Sequence, residues 1–249
     1  MAYTKLTPRH TPGAGIEEIS HGAEYRLMIP SDSADKYRLA ELNDYTQIPR
    51  GRFPWRFPLS LSLSARASSD SIPGTWGFGL WNDPFGLSLG FGGNPFRLPA
   101  LPNAIWFFGA SKENYLSFRN DKPAQGFLAQ SFRSPKFHPL LFLAGLALPF
   151  SRKSTRRLMR RVIAEDGIRL SVNVTEWHRY KIDWWEQRVS FEVDNIQVFE
   201  SPVSPNPPLG LVIWIDNQYA AFTPEGKIGF GVLENPEPAW LEIKDLELR

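Results

Sequence analysis

Apolar and polar residues alternate with period two along most of the chain, and glycine and proline punctuate the alternation. The pattern predicts strands over 59–67 (LSLSLSARA), 75–81 (TWGFGLW), 104–110 (AIWFFGA) and 177–185 (WHRYKIDWW). It predicts further strands over 188–199 (RVSFEVDNIQVF), 209–215 (LGLVIWI), 227–233 and 239–248. Within 177–185, His178, Tyr180, Ile182 and Trp184 share the face expected to meet the core, and Trp177, Arg179, Lys181, Asp183 and Trp185 share the other. Glu186-Gln187 reads as the turn of a hairpin between this segment and the next. Eight or more strands without regular helical partners predict two packed antiparallel sheets.

One segment departs from the alternation. Residues 139–150 (PLLFLAGLALPF) form an unrelieved apolar run, followed by Arg152, Lys153, Arg156, Arg157, Arg160 and Arg161. Leu158, Met159, Val162 and Ile163 recur among these cations with helical spacing, so 138–165 is predicted as a helical insertion. As a helix the apolar run reaches about 18 Å, short of the roughly 30 Å hydrocarbon core, so it does not cross a bilayer. It needs a cover, and 138–161 is expected to pack on the protein or a second subunit, with a membrane surface as the alternative. Residues 1–15 and 202–208 read as irregular connections, and 77–96 as a long glycine-rich loop at a cleft edge.

Composition narrows the chemistry. The 249 residues are 42% hydrophobic, 14% aromatic and 22% charged, which suits a globular chain with a large core, and all-β proteins of this length commonly form one domain. A single domain over 1–249 is expected. A net charge of +2 gives no global pull toward nucleic acid, which is not expected as a partner. The absence of cysteine excludes thiol catalysis, disulfides and cysteine-ligated metals. The four histidines lack ligand spacing, and the Gly-x-Gly pairs of 77–96 precede neither Lys-Ser/Thr nor a helix start, so no metal and no cofactor are expected. The first residues carry no apolar leader, which makes a cytoplasmic location the expectation.

Three stretches together, 59–83 (LSLSARASSDSIPGTWGFGLWND for 61–83), 177–200 (WHRYKIDWWEQRVSFEVDNIQVFE) and 239–248 (AWLEIKDLEL), are similar to the laminarinase-like glucanases of glycoside hydrolase family sixteen. That family lies in the concanavalin A-like lectin and glucanase superfamily. The middle stretch resembles its His-x-Tyr-x-Ile-x-Trp strand and following hairpin partner, with Asn195 where glycine is usual. The resemblance implies an all-β jelly-roll sandwich with a concave face, to which the residue pattern adds the short helical insertion. It also implies a strand bearing Glu, Asp and Glu at alternate positions for retaining glycoside hydrolysis. The segment expected in that place, 102–109 (PNAIWFFG), holds no carboxylate, so the family's hydrolytic mechanism is not expected here.

The candidate ligand-binding residues are Trp76, Trp81 and Trp106, which the resemblance places near a cleft, and Trp214, Asp216, Asn217, Gln218 and Tyr219 of WIDNQY. Aromatic faces with a few placed polar groups are the usual means of holding a sugar-sized ligand. The competing readings are that the tryptophans fill the core and that the polar side chains satisfy their own backbone. Asp83 and Asp216 are the carboxylates considered as a substitute acid/base pair, although an Asp before proline usually shapes a turn. Two functions follow: a glycan-directed binding protein without the family's catalytic carboxylates, or an enzyme of rewired chemistry acting on an apolar or lipid-like substrate. An open polar groove favours the first, and a closed aromatic pocket the second.

Overall fold

The computed structural model describes residues 6–20, 23–84, 100–135 and 152–249. Its first strands are β1 (Thr7–His10), β2 (Gly15–Ser20), β3 (Glu24–Ile29), β4 (Leu39–Asn43), β5 (Leu59–Ala67) and β6 (Thr75–Trp81). Next come β7 (Ala104–Ala110), β8 (Gly126–Arg133), helix α1 (Arg152–Val162), β9 (Ala164–Arg169), β10 (His178–Trp184) and β11 (Val189–Val193). The chain ends through β12 (Ile196–Ser201), β13 (Gly210–Asp216), β14 (Gln218–Phe222), β15 (Ile228–Val232) and β16 (Ala239–Leu248).

These strands form two seven-stranded antiparallel sheets and a separate hairpin of β14 and β15. The front sheet runs β1-β4-β13-β6-β7-β8-β9, and the back sheet runs β12-β11-β10-β5-β16-β3-β2. Period-two alternation sends one face of each sheet into the shared core. The back sheet contributes Leu61, Leu63, Tyr180, Ile182, Trp184 and Phe191, and the front sheet Phe78, Leu80, Ile105, Phe107, Leu211 and Ile213. At the centre, the Phe107 ring lies 4.9 Å from Tyr180 and 5.4 Å from Phe191 on the opposite sheet.

The expected hairpin closes with Trp184 opposite Val189, around Glu186-Gln187, and Tyr180, Ile182 and Trp184 are buried. Residues 188–199 form two strands, β11 and β12. Asp194 and Asn195 take φ of 51° and 65°, the left-handed pair that a two-residue turn requires, and β12 folds back on β11. The expectation of irregular chain over 1–15 is corrected at 7–10: β1 pairs with β4, and Pro8 is tolerated because β1 is an edge strand. Helix α1 matches part of the expected insertion, but 164–169 is strand β9, paired with β8. The apolar run 139–150 and most of the glycine-rich loop lie outside the described residues. No helix among the described residues is long and apolar enough to cross a membrane.

Gly109 on β7 faces the core where the Trp76 indole lies flat against Phe127, with ring centroids 5.1 Å apart. A Cβ at Gly109 would sit 2.2 Å from Trp76 Nε1, so the ring must leave its stack to admit a methyl group. Gly109→Ala is therefore expected to cost about 1–3 kcal/mol, the usual range for overpacking a core. Urea unfolding checks this, and an unchanged midpoint would refute it.

Candidate functional site

The outer face of the front sheet, turned away from the back sheet, carries a second apolar cluster. Strand registers set its rows. One row runs Glu41, Trp214, Gly77, Phe108, Leu128 across β4, β13, β6, β7 and β8. The next runs Asn43, Val212, Gly79, Trp106, Gln130, and the third brings Trp81, Ala104, Phe132 and Glu165 into line. Asp216 lies in a fourth row with Leu39, Thr75 and Ala110.

Trp81, Trp106 and Trp214 meet on this face. Trp81 and Trp214 stack at 6.1 Å with their planes 3° apart, and Trp106 lies 6.1 Å from Trp81 and 5.7 Å from Trp214. Phe108, Phe132, Tyr45 and Phe53 extend the array. Glycine at position 77 leaves room for it, since a Cβ there would approach the Trp214 ring to 3.1 Å and Phe107 O to 2.3 Å. The indole N–H groups are all directed to protein acceptors. Trp81 donates to Tyr45 Oη at 2.7 Å, Trp214 to Thr75 Oγ1 at 3.0 Å, and Trp106 to Gln130 Oε1 at 3.4 Å.

Two buried carboxyl groups flank the tryptophans on the β4 and β13 side. Asp216 Oδ1 accepts from Thr75 Oγ1 at 2.8 Å, Thr75 N at 3.2 Å and Gln218 N at 3.3 Å. Burial nevertheless pushes its pKa up to about 7, with the Glu41 charge adding to the rise. Glu41 Oε1 accepts from Asn43 Nδ2 at 2.8 Å and Tyr45 Oη at 3.3 Å, while Arg9 stands 3.9 Å from Oε2. Burial also raises its pKa, against the opposing pull of Arg9. A carboxyl group that titrates near neutrality in an apolar wall can donate a hydrogen bond or a proton. Opposite them, Glu165 Oε1 on β9 is buried without a hydrogen-bond partner among the described residues, and burial raises that carboxyl as well.

The other candidates are placed differently. Trp76 is on the opposite face of β6 from Trp81, 4% exposed in the core between the sheets, so it does not line the outer face. Asn217 is fully buried and spent on backbone: its Oδ1 accepts from Arg38 N, and its Nδ2 donates to Lys36 O and Leu233 O. Tyr219 lies over Gly229 and Gly231 within the β14–β15 hairpin, and Gln218 Nε2 is buried without a hydrogen-bond partner among the described residues. Asp83 holds a left-handed turn, φ 48°, and its carbonyl accepts from Arg50 at 2.6 Å. Its charge raises Glu41, and Glu41 in turn raises Asp216, so Glu41 couples electrostatically to both members of the suggested acid/base pair. Glu41 escaped the sequence reading. Its one signal is the alternation Leu39, Glu41, Asn43 against Ala40, Leu42, which marks a two-faced strand.

No family model matches the sequence, and no curated protein matches it. Solved structures do match in shape. A glycoside hydrolase family 16 endo-glucanase from Bacteroides ovatus superposes with a TM-score of 0.52 at 10% identity, covering 100% of this chain and 96% of that one. A β-glucanase from Bacillus licheniformis superposes with a TM-score of 0.51 at 12% identity, covering 98% and 91%. With the two-sheet antiparallel sandwich described above, these similarities give the chain the concanavalin A-like jelly-roll fold of the family 16 glucanases.

Proposed function

We propose that the outer face of the front sheet is a ligand-binding surface and that its ligands are glycans. The observation that carries this reading is the meeting of Trp81, Trp106 and Trp214 on three adjacent strands, beside the carboxyl groups of Glu41 and Asp216. Flat aromatic surface packs against sugar C–H faces, and the carboxyl groups supply hydroxyl partners. The names of the two similar structures, an endo-glucanase and a β-glucanase, agree with that ligand class. Binding rather than hydrolysis is proposed because β7, next to the central strand of this sheet, carries Ala104, Trp106, Phe108 and Ala110 outward and no carboxylate.

One observation favours an apolar guest instead. Trp106 and Trp214 are each 7% exposed, and Phe108 and Phe132 each 3%, which is a dry surface rather than an open groove. Titrating tryptophan fluorescence with β-1,3 and β-1,4 gluco-oligosaccharides and, in parallel, with long-chain fatty acids separates the two. Saturable quenching by an oligosaccharide, weakened at least tenfold in a folded Trp106→Ala variant, is the expected result. Quenching by fatty acid alone would transfer the site to the apolar reading. Sustained release of reducing sugar, abolished by Asp216→Asn, would replace binding with catalysis.

A further inference from the structure

Helix α1 carries Lys153, Arg156, Arg157 and Arg160 at spacings that place all four on one face. No acid occurs in the helix, and like charges one turn apart destabilise it. The stripe does not face open solvent alone. It lines a recess of about 120 Å³ completed by Phe118, Asn120 and Pro224, with no carboxylate among the lining residues. The turn between β14 and β15 braces the helix there: a Cβ at Gly226 would lie 3.0 Å from Lys153 Cγ and 3.1 Å from Lys153 N.

Arg156 is the buried member of that lining, 4% exposed. Its Nη1 donates to Ser117 O and Phe222 O, both at 2.7 Å, and Nη2 donates to Asn120 Oδ1 at 3.1 Å. The Tyr115 ring, 5.2 Å from the guanidinium carbon, adds a cation–π contact. A guanidinium has five N–H donors, so these three bonds fix the group and leave two. Lys153, Arg157 and Arg160 are exposed around it and make no ion pair among the described residues. Burial disfavours the Arg156 cation, and the charges of Glu165 and Glu225, neither of which lines the recess, pull the other way.

We propose that this recess binds a tetrahedral oxyanion, a phosphate or sulfate group, free or as an ester. A fixed arginine fork matches two oxygens of such a group, and the three exposed cations neutralise the rest. The recess adjoins the outer face, since Phe118 packs against its apolar cluster, but it uses none of the residues proposed to hold a glycan and stands whether or not that reading holds.

The test is titration of inorganic phosphate at constant ionic strength, followed by phosphorus NMR line width and by calorimetry. Wild-type protein is expected to bind saturably, with the affinity falling at least tenfold when Lys153, Arg157 and Arg160 are all replaced by Gln. Those three side chains are exposed, so the fold is retained, and circular dichroism verifies it. Arg156→Lys, which keeps the charge and loses the fork, is expected to weaken binding as well. No saturable response up to about 10 mM phosphate, the weak end of specific binding, would overturn the proposal. So would equal binding by the triple variant. Parallel arms with a sulfated oligosaccharide and with phosphatidic acid vesicles identify the source of the anion, and in either arm the gain must vanish in the triple variant to support the site.

Discussion

Replacing Asp216 by Asn is expected to stabilise the protein at pH 8 by up to about 4 kcal/mol while leaving it nearly unchanged at pH 4. The folded carboxyl titrates at about 7 against an ordinary value of 3.8, because burial penalises its ionised form more than its hydrogen bonds favour it. Below pH 4 both folded and unfolded chains hold this proton, and the group is neutral in its effect. As pH rises from 4 to 7 the unfolded chain releases the proton and the folded chain keeps it, so stability falls. Above 7 the folded group ionises too and the penalty stays at its full size. Asn keeps an oxygen for the Thr75 and Gln218 donors and carries no charge. Asp44, raised to about 6 by burial, pulls in the same direction and remains in the variant, so the pH dependence shrinks without vanishing. Urea unfolding from pH 4 to 8 reads the effect, and a variant no more stable than wild type at pH 8 would contradict it.

Trp184→Ala is expected to cost about 3–5 kcal/mol, the range for deleting a fully buried large aromatic side chain. The Trp184 side chain has no exposed surface, meets Phe57 edge-on at 5.6 Å, and donates from Nε1 to Ser204 Oγ at 3.0 Å. Ser204 in turn donates to Trp185 O at 2.5 Å, so the indole ties the irregular 202–208 segment to the back sheet. Trp184→Phe keeps most of the volume and loses the N–H, for an expected cost of about 1–2 kcal/mol. A two-step series in urea midpoints is the expected outcome. An alanine variant destabilised by less than about 1 kcal/mol would mean that the surrounding chain collapses into the space.

Strands with a clear period or a run of aromatic and β-branched residues were legible, including β6, β7 and β13, which are buried along most or all of their length. β5, β10 and β16 alternate cleanly, and their hairpin and closing positions follow from that period. β4 was not legible. Its five residues, Leu-Ala-Glu-Leu-Asn, are all buried, but a short segment with a central Glu reads as solvated chain when the covering residues come from elsewhere in the sequence. For that reason Glu41 was missed although it flanks the tryptophans. Parity did separate Trp76 from Trp81, and the side facing the core followed only when the second sheet was in view. In WIDNQY, Asn217 carries the same sequence signal whether it meets a ligand or satisfies backbone, and here three backbone groups claim it.

The three indole N–H groups of the outer face are already committed to Tyr45, Thr75 and Gln130. If the proposed ligand binds here, it would find no free indole donor among these three, and its aromatic contacts would carry little directional information. Selection would fall on flatness and ring size. Epimers differing in one equatorial or axial hydroxyl would be separated weakly unless that hydroxyl reached Glu41 or Asp216. On the proposed glycan reading, Glu41 and Asp216 would be the places where a single substitution writes or erases a stereochemical preference, and the tryptophans would set how much surface is covered.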